Sequence, residues 1–116
     1  MPTEGTDTVE TNSSVSSYTL GANVEKLTHT GGTAIAITGN GLDNVITGNT
    51  GADTLIGLAG NDRLIGGGDT LISGKGDDVY IDGGTHAIIT ELANEGIDTL
   101  AASVNTETLA ANVEKM

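Results

Sequence analysis

Aspartates recur through the middle of the chain at one fixed place in a short glycine-rich unit. Gly48-Asn49-Thr50-Gly51-Ala52-Asp53-Thr54-Leu55-Ile56 runs directly into Gly57-Leu58-Ala59-Gly60-Asn61-Asp62-Arg63-Leu64-Ile65. Ser73-Gly74-Lys75-Gly76-Asp77-Asp78-Val79-Tyr80-Ile81 follows after one shortened unit. In each nine-residue unit glycines come early, Asp stands sixth and a large apolar residue eighth. Glycine lets a turn adopt backbone angles closed to other residues, so its carbonyls can point inward, and the carboxylate adds charge. The first six residues of a unit therefore read as a turn able to hold a cation with hard oxygens, and the last three as a short strand.

The placement of the acids agrees. The chain has sixteen acids against four bases, a formal net charge of −12 at pH 7. A merely solvated acidic face would mix Asp and Glu, yet from residue 39 to 82 every acid is Asp: Asp43, Asp53, Asp62, Asp69, Asp77, Asp78 and Asp82. All seven Glu lie outside that window. Tight, oxygen-rich turns prefer the shorter arm. So acidic a surface offers nothing to neutralise phosphate, which argues against nucleic-acid and anionic-membrane partners.

Other chemistries find no constellation. His29 and His86 are isolated and read as surface histidines rather than zinc ligands. No serine sits in a nucleophile elbow, and no glycine run ends in the GK[ST] of a phosphate loop. Asp77 and Asp78 are adjacent on a turn and point apart, unlike a glycosidase pair. Tyr18 and Tyr80 read as packing residues. The expectation is a chain with no catalytic residues.

The elements that position these turns follow from the apolar beat. Ile46, Leu55, Leu64, Leu71 and Tyr80 are separated by nine, nine, seven and nine residues, and the beat extends back to Ile37 and forward to Ile89. Around them the sequence predicts strands at 45–47, 54–56, 63–65, 70–72, 79–81 and 87–89, because β-branched and aliphatic residues bounded by Gly and Asp are a strand-and-turn pattern. Helices cannot pass through turns this rich in glycine, each costing about 1 kcal/mol relative to Ala. In 116 residues there is no Phe, Trp or Cys and only two Tyr, so the core is thin and has no disulfide support. No apolar run is long enough to span a bilayer as a helix. The expected fold is all-β, a solenoid of short strands.

The nonapeptide resembles the calcium-binding repeat of the RTX (repeats-in-toxin) proteins, Gly-Gly-x-Gly-x-Asp-x-U-x, over residues 48–81 and more weakly over 39–47. The resemblance implies a parallel β-roll with eighteen residues per coil, and calcium held between stacked turns by Asp side chains and backbone carbonyls. Calcium takes six to eight oxygens, about what two turns together can offer. Counting along the beat places Asp53 opposite Asp69 on one edge and Asp62 opposite Asp78 on the other, with Asn44 one coil earlier in that row. The candidate metal ligands, through side-chain or backbone oxygens, are Asn44, Gly48, Thr50, Asp53, Gly57, Ala59, Asn61, Asp62, Asp69, Ser73, Lys75, Asp77 and Asp78. Residues 66–69 read Gly-Gly-Gly-Asp, two short of a full turn, which removes two carbonyls from a site using Asp69. Leu58 and Asn49 replace the second glycine and Ser73 a first, which carbonyl ligands tolerate. Stacked carboxylates repel without a counter-ion, so folding is expected to be coupled to metal.

A longer repeat brackets the roll. Glu4-Gly5-Thr6-Asp7-Thr8-Val9 is echoed by Glu95-Gly96-Ile97-Asp98-Thr99-Leu100, and Leu20-Gly21-Ala22-Asn23-Val24-Glu25-Lys26-Leu27 by Leu109-Ala110-Ala111-Asn112-Val113-Glu114-Lys115-Met116. One solenoid domain is expected: 1–38 as N-terminal flanking strands or cap, 39–82 as the nonapeptide roll, and 83–116 as a flank repeating 4–27. The repeat suggests a larger array with neighbouring repeats as partners. Met1–Thr6 lacks the features of a secretory signal, and the resemblance implies type I export to an extracellular site. The expected function is a non-catalytic calcium-binding module of a secreted or cell-surface bacterial protein. Adhesion or polysaccharide binding within an array and an accessory roll of a secreted enzyme are the alternatives. A metal-free ice-binding or scaffold solenoid ranks last, since Thr47, Thr54 and Thr70 do not share one register.

Overall fold

The computed structural model describes residues 6–12, 14–49, 51–66, 70–82, 88–90, 96, 98–102 and 113–115. Its strands are β1 (Thr8–Thr11), β2 (Ser17–Thr19), β3 (Lys26–His29), β4 (Ala36–Thr38), β5 (Val45–Thr47), β6 (Thr54–Ala59), β7 (Arg63–Ile65), β8 (Thr70–Lys75), β9 (Val79–Asp82), β10 (Ile88–Thr90), β11 (Asp98–Ala102) and β12 (Val113–Lys115). Among the described residues there is no helix. Strands alternate between two parallel sheets, ordered β1-β3-β5-β7-β9-β11-β12 and β10-β8-β6-β4-β2. The chain is a β-solenoid of about four turns, consistent with a parallel β-roll.

Register makes the coil length explicit. Val45 pairs with Arg63 and Ala36 with Thr54, each eighteen residues apart. Across the shortened unit the step falls to sixteen, with Arg63 opposite Val79 and Thr54 opposite Thr70. Both sheets shorten equally, so the two missing residues cause no slip: a one-residue slip would turn every apolar side chain outward. β6 and β8 continue into their turns, where Leu58 pairs with Gly74 and Ala59 with Lys75.

The core is the file of eighth-position residues. Ile37, Ile46, Leu55, Leu64, Leu71 and Tyr80 are all fully buried, joined by Leu20, Leu27 and Ile35. The expected strands are present, with β6 and β8 longer than expected; residue 87 and the side chain of Ile89 lie outside what the structure describes. Thr54 does stand opposite Thr70, but Ala36 and Ile88 flank the pair, while Thr47 lies in the other sheet against Thr28. That threonine ladder is two residues long.

Tyr80 crosses the core from β9 to β8. Its hydroxyl lies 2.6 Å from Ser73 Oγ and accepts the Ser73 N–H at 3.2 Å, all of it buried. Tyr80→Phe is therefore expected to destabilise the calcium-saturated protein by about 1–3 kcal/mol, the cost of a buried polar group losing its partner. Equilibrium denaturation of the two proteins checks this, and equal midpoints would contradict it.

Candidate metal centre

Each described sixth-position residue immediately precedes a strand, and its side chain turns back under the coil before it. Asp62 Oδ1 accepts the Asn44 backbone N–H at 2.7 Å, and Asp78 Oδ1 accepts that of Asp62 at 2.6 Å. Asn44, Asp62 and Asp78 thus form one buried row, as the spacing predicts. On the opposite edge Asp53 is buried too, accepting the Ile35 N–H at 2.9 Å and the Asn49 N–H at 3.0 Å. Asp69 and Thr50 lie outside the described residues, so the structure does not describe the pairing of Asp53 with Asp69.

The row contains an unanswered charge. Asp62 is only 2 % exposed, yet its Oδ2 has no hydrogen-bond partner. Burial raises the Asp62 carboxyl from the usual 3.8 to about 7; the Asn44 N–H opposes the rise, and the Asp78 and Asp43 carboxylates add to it. A buried carboxylate in this state needs a proton or a cation.

Two hard oxygens converge beside it. Gly57 permits the approach: a Cβ there would touch Asp62 Oδ2 and lie 2.7 Å from the Ser73 carbonyl oxygen, which belongs to the next coil. One coil earlier a Cβ on Gly39 would touch Asn44 Oδ1 and lie 2.7 Å from the Gly57 carbonyl. The cradle therefore repeats along the edge: an Asx oxygen from its own turn and a carbonyl from the turn above. Gly76, at φ +122°, brings its α-carbon against the Gly60 carbonyl, where a side chain would collide. Among the described residues no three acidic or histidine side chains gather as a metal cluster. The donors assembled here are instead hard oxygens from both side chain and main chain, which suits calcium.

The remaining candidates divide between inside and outside. Asn61 and Asp77 are exposed and form a second, outer ladder: the Asn61 N–H donates to Asp43 Oδ1 at 2.8 Å and the Asp77 N–H to Asn61 Oδ1 at 3.0 Å. Asp77 and Asp78 do point apart, one exposed and one buried. Ala59 and Lys75 are exposed and can contribute only backbone, and the Gly48 N–H donates to the Ile65 carbonyl at 2.8 Å. Leu58, in the second-glycine place, is 45 % exposed and held at φ 84°, a conformation costing a leucine on the order of 1–2 kcal/mol. Sequence reasoning missed the outer ladder, although Asp43, Asn61 and Asp77 share the fifth place in their units. His29 corrects an expectation: it is buried, 1 % exposed, with Nδ1 2.9 Å from Thr11 Oγ1 and Nε2 3.0 Å from the Thr33 carbonyl. The ring lies under its own turn rather than on the surface. His86 is outside the described residues.

Residues 38–70 match the family model described as RTX calcium-binding nonapeptide repeat (4 copies). The segment is an RTX repeat block. RTX nonapeptide repeats bind calcium, and the match covers the Asn44 and Asp62 turns, including Gly39 and Gly57. Comparison with curated proteins and with solved structures gave no match.

Two outcomes follow for the RTX cradle. Gly57→Ala places a methyl group against Asp62 Oδ2 and the Ser73 carbonyl, so calcium affinity should fall at least about tenfold, a loss of some 1.4 kcal/mol; isothermal titration measures it. For metal-free protein, the folded state holds more protons than the unfolded state between pH 3.8 and about 7. Stability without calcium should therefore fall as pH rises through that window, by on the order of 4 kcal/mol in full. Chelator-treated Asp62→Asn should lose most of this dependence in thermal unfolding, and an unchanged slope would refute the assignment.

Proposed function

We propose that this chain is a calcium-loaded β-roll module of a secreted or cell-surface bacterial protein, folding as calcium is taken up. The observation that carries the reading is the buried, unpartnered Oδ2 of Asp62, brought close to the Ser73 carbonyl across Gly57. Calcium supplies the positive charge that this row of oxygens lacks. Asp62 and Asp78, with Asn44 behind them, orient their carboxyl or amide oxygens by accepting backbone N–H groups, while Gly57 and Ser73 provide approach and a carbonyl. Asp53 and Gly48 would serve the other edge, joined by Thr50 and Asp69; Ala59, Asn61, Lys75 and Asp77 complete the turns around the primary row.

The role assigned is structural rather than catalytic, in keeping with what RTX rolls typically do. RTX repeats are typical of secreted proteins, which supports an extracellular setting where calcium is plentiful. No helix of the described residues is long and apolar enough to cross a membrane. The roll would occupy 39–82, between flanks at 1–38 and 83–116.

One observation favours placement in a surface array. Each copy of the long repeat supplies two neighbouring strands of the same sheet, β1 beside β3 and β11 beside β12, although Thr8 stands opposite Lys26 while its counterpart Thr99 stands opposite Glu114, one residue out of register. Repeated units that each add neighbouring strands to one parallel sheet can stack. Calcium-dependent retention on immobilised polysaccharide would promote this reading, and an adhesive partner would then be the next target.

Circular dichroism with chelator and with millimolar calcium tests the primary proposal. A rise in β signal on adding calcium, reduced at least about tenfold in apparent affinity by Asp62→Ala, is expected. Identical spectra in both conditions would overturn it.

A further inference from the structure

One coil nearer the N-terminus than Gly39, both edges are built from different chemistry. Backbone bonds fix the alignment: the Leu20 N–H donates to the Thr38 carbonyl at 2.8 Å, as the Gly39 N–H donates to that of Ile56 at 2.7 Å. Leu20 therefore stands where Gly39 and Gly57 stand, and its side chain is buried in the core. On the other edge His29 follows Thr28, which pairs with Thr47, so His29 stands where Gly48 does. Ile35, whose N–H reaches Asp53 Oδ1, takes the place of that acid one coil earlier and is buried as hydrocarbon. The glycine places carry side chains, and of the two acid places one is apolar while the other is Glu25, whose Oε2 accepts the Asp7 N–H at 2.8 Å.

Carbonyls at this level are met by nitrogen. Asn40 Nδ2 donates to the Gly21 carbonyl at 2.6 Å and to that of Val24 at 2.8 Å. Asn44 Nδ2 donates to the Val24 and Glu25 carbonyls at 3.3 and 3.4 Å. Across the roll, Asn49 Nδ2 donates to the Thr30 carbonyl at 2.9 Å. A carbonyl can only accept, so His29 Nε2 donates to Thr33, while Nδ1 is hydrogen-bonded to the Thr11 hydroxyl. Asn40 and Asn49 occupy the same second place of their units, and both reach back nineteen residues.

We infer that residues 8–38 form a metal-independent cap, docked on the first repeats by the amides of Asn40, Asn44 and Asn49 and braced internally by the His29 ring, so that calcium dependence begins beyond them, at the Gly57 turn. Amide N–H groups satisfy the same carbonyls that a cation serves farther along, and they do so at any calcium concentration. The cap then offers a finished parallel edge on which the calcium-dependent coils assemble. The inference rests on the calcium reading for 57–82 but makes a separate claim about 8–38.

Hydrogen exchange by mass spectrometry on the whole chain, in chelator and in millimolar calcium, tests it. In chelator, peptides from 17–49 should exchange at least about tenfold more slowly than peptides from 57–82, and calcium should slow the second group alone. Equal, rapid exchange of both groups in chelator would overturn the cap. Slow exchange of 17–49 with no calcium response in 57–82 would uphold the cap and remove the calcium reading. The Asn40→Ala/Asn49→Ala double variant should lose the chelator-state protection while titrating with unchanged calcium stoichiometry. A fall in stoichiometry would make those residues calcium ligands and sink the proposal.

Discussion

Stacking acidic turns in register buries negative oxygen, and the rest of this molecule is arranged around that constraint. Parallel pairing in both sheets forces each sixth-position side chain directly beneath its counterpart one coil away. Asp62 shows the consequence. One of its carboxylate oxygens accepts a backbone N–H from the preceding coil, and the other packs against Gly57 with no hydrogen-bond partner. A side chain so placed opposes folding by itself, and in the proposed reading calcium offsets that cost. The thin core makes this term weigh more, because two facing files of aliphatic residues with Tyr80 supply the hydrophobic support among the described residues.

The chain handles the same constraint in three ways along its length. At the Asp62 and Asp78 level it uses carboxylates and carbonyls suited to calcium. Outside that row, Asp43, Asn61 and Asp77 make a solvent-facing ladder of Asx-to-backbone bonds that links the coils without burying charge. Toward the N-terminus, leucine, isoleucine, histidine and asparagine replace glycine and acid, and nitrogen donors meet the carbonyls. The shortened unit fits this scheme because both sheets lose two residues together, so the Asp62 row keeps its stacking.

Much of the site was legible because the repeat carries position with it. Once Leu64 and Tyr80 are taken as inward-facing, Asp62 and Asp78 fall into one row two residues earlier in their units, and the structure places them there. The same reasoning put Asn44 behind them. His29 was read as a surface residue because nothing adjacent in sequence gives it a partner. Its partners are Thr11, eighteen residues away, and a carbonyl in its own turn, and only the winding of the first coil unites them. The amides of Asn40 and Asn49 escaped notice for the same reason, since the carbonyls they serve lie a full coil back.

What the sequence determined by itself was periodicity: which residues point inward, where the turns fall, and that the turns are rich in oxygen. Those follow from local sterics, from the alternation of a strand and from the spacing of Asp and Gly. What only the tertiary structure decided was which oxygens are left without donors and which are satisfied by nitrogen. Asp62 and Asp53 occupy the same place in identical-looking units, yet both oxygens of Asp53 accept N–H groups while one oxygen of Asp62 does not. The Asn49 N–H closes back onto Asp53 within its own turn, whereas Leu58, in the equivalent place, is drawn into pairing with Gly74 of the next coil, and that pairing lies beyond any local reading of the repeat.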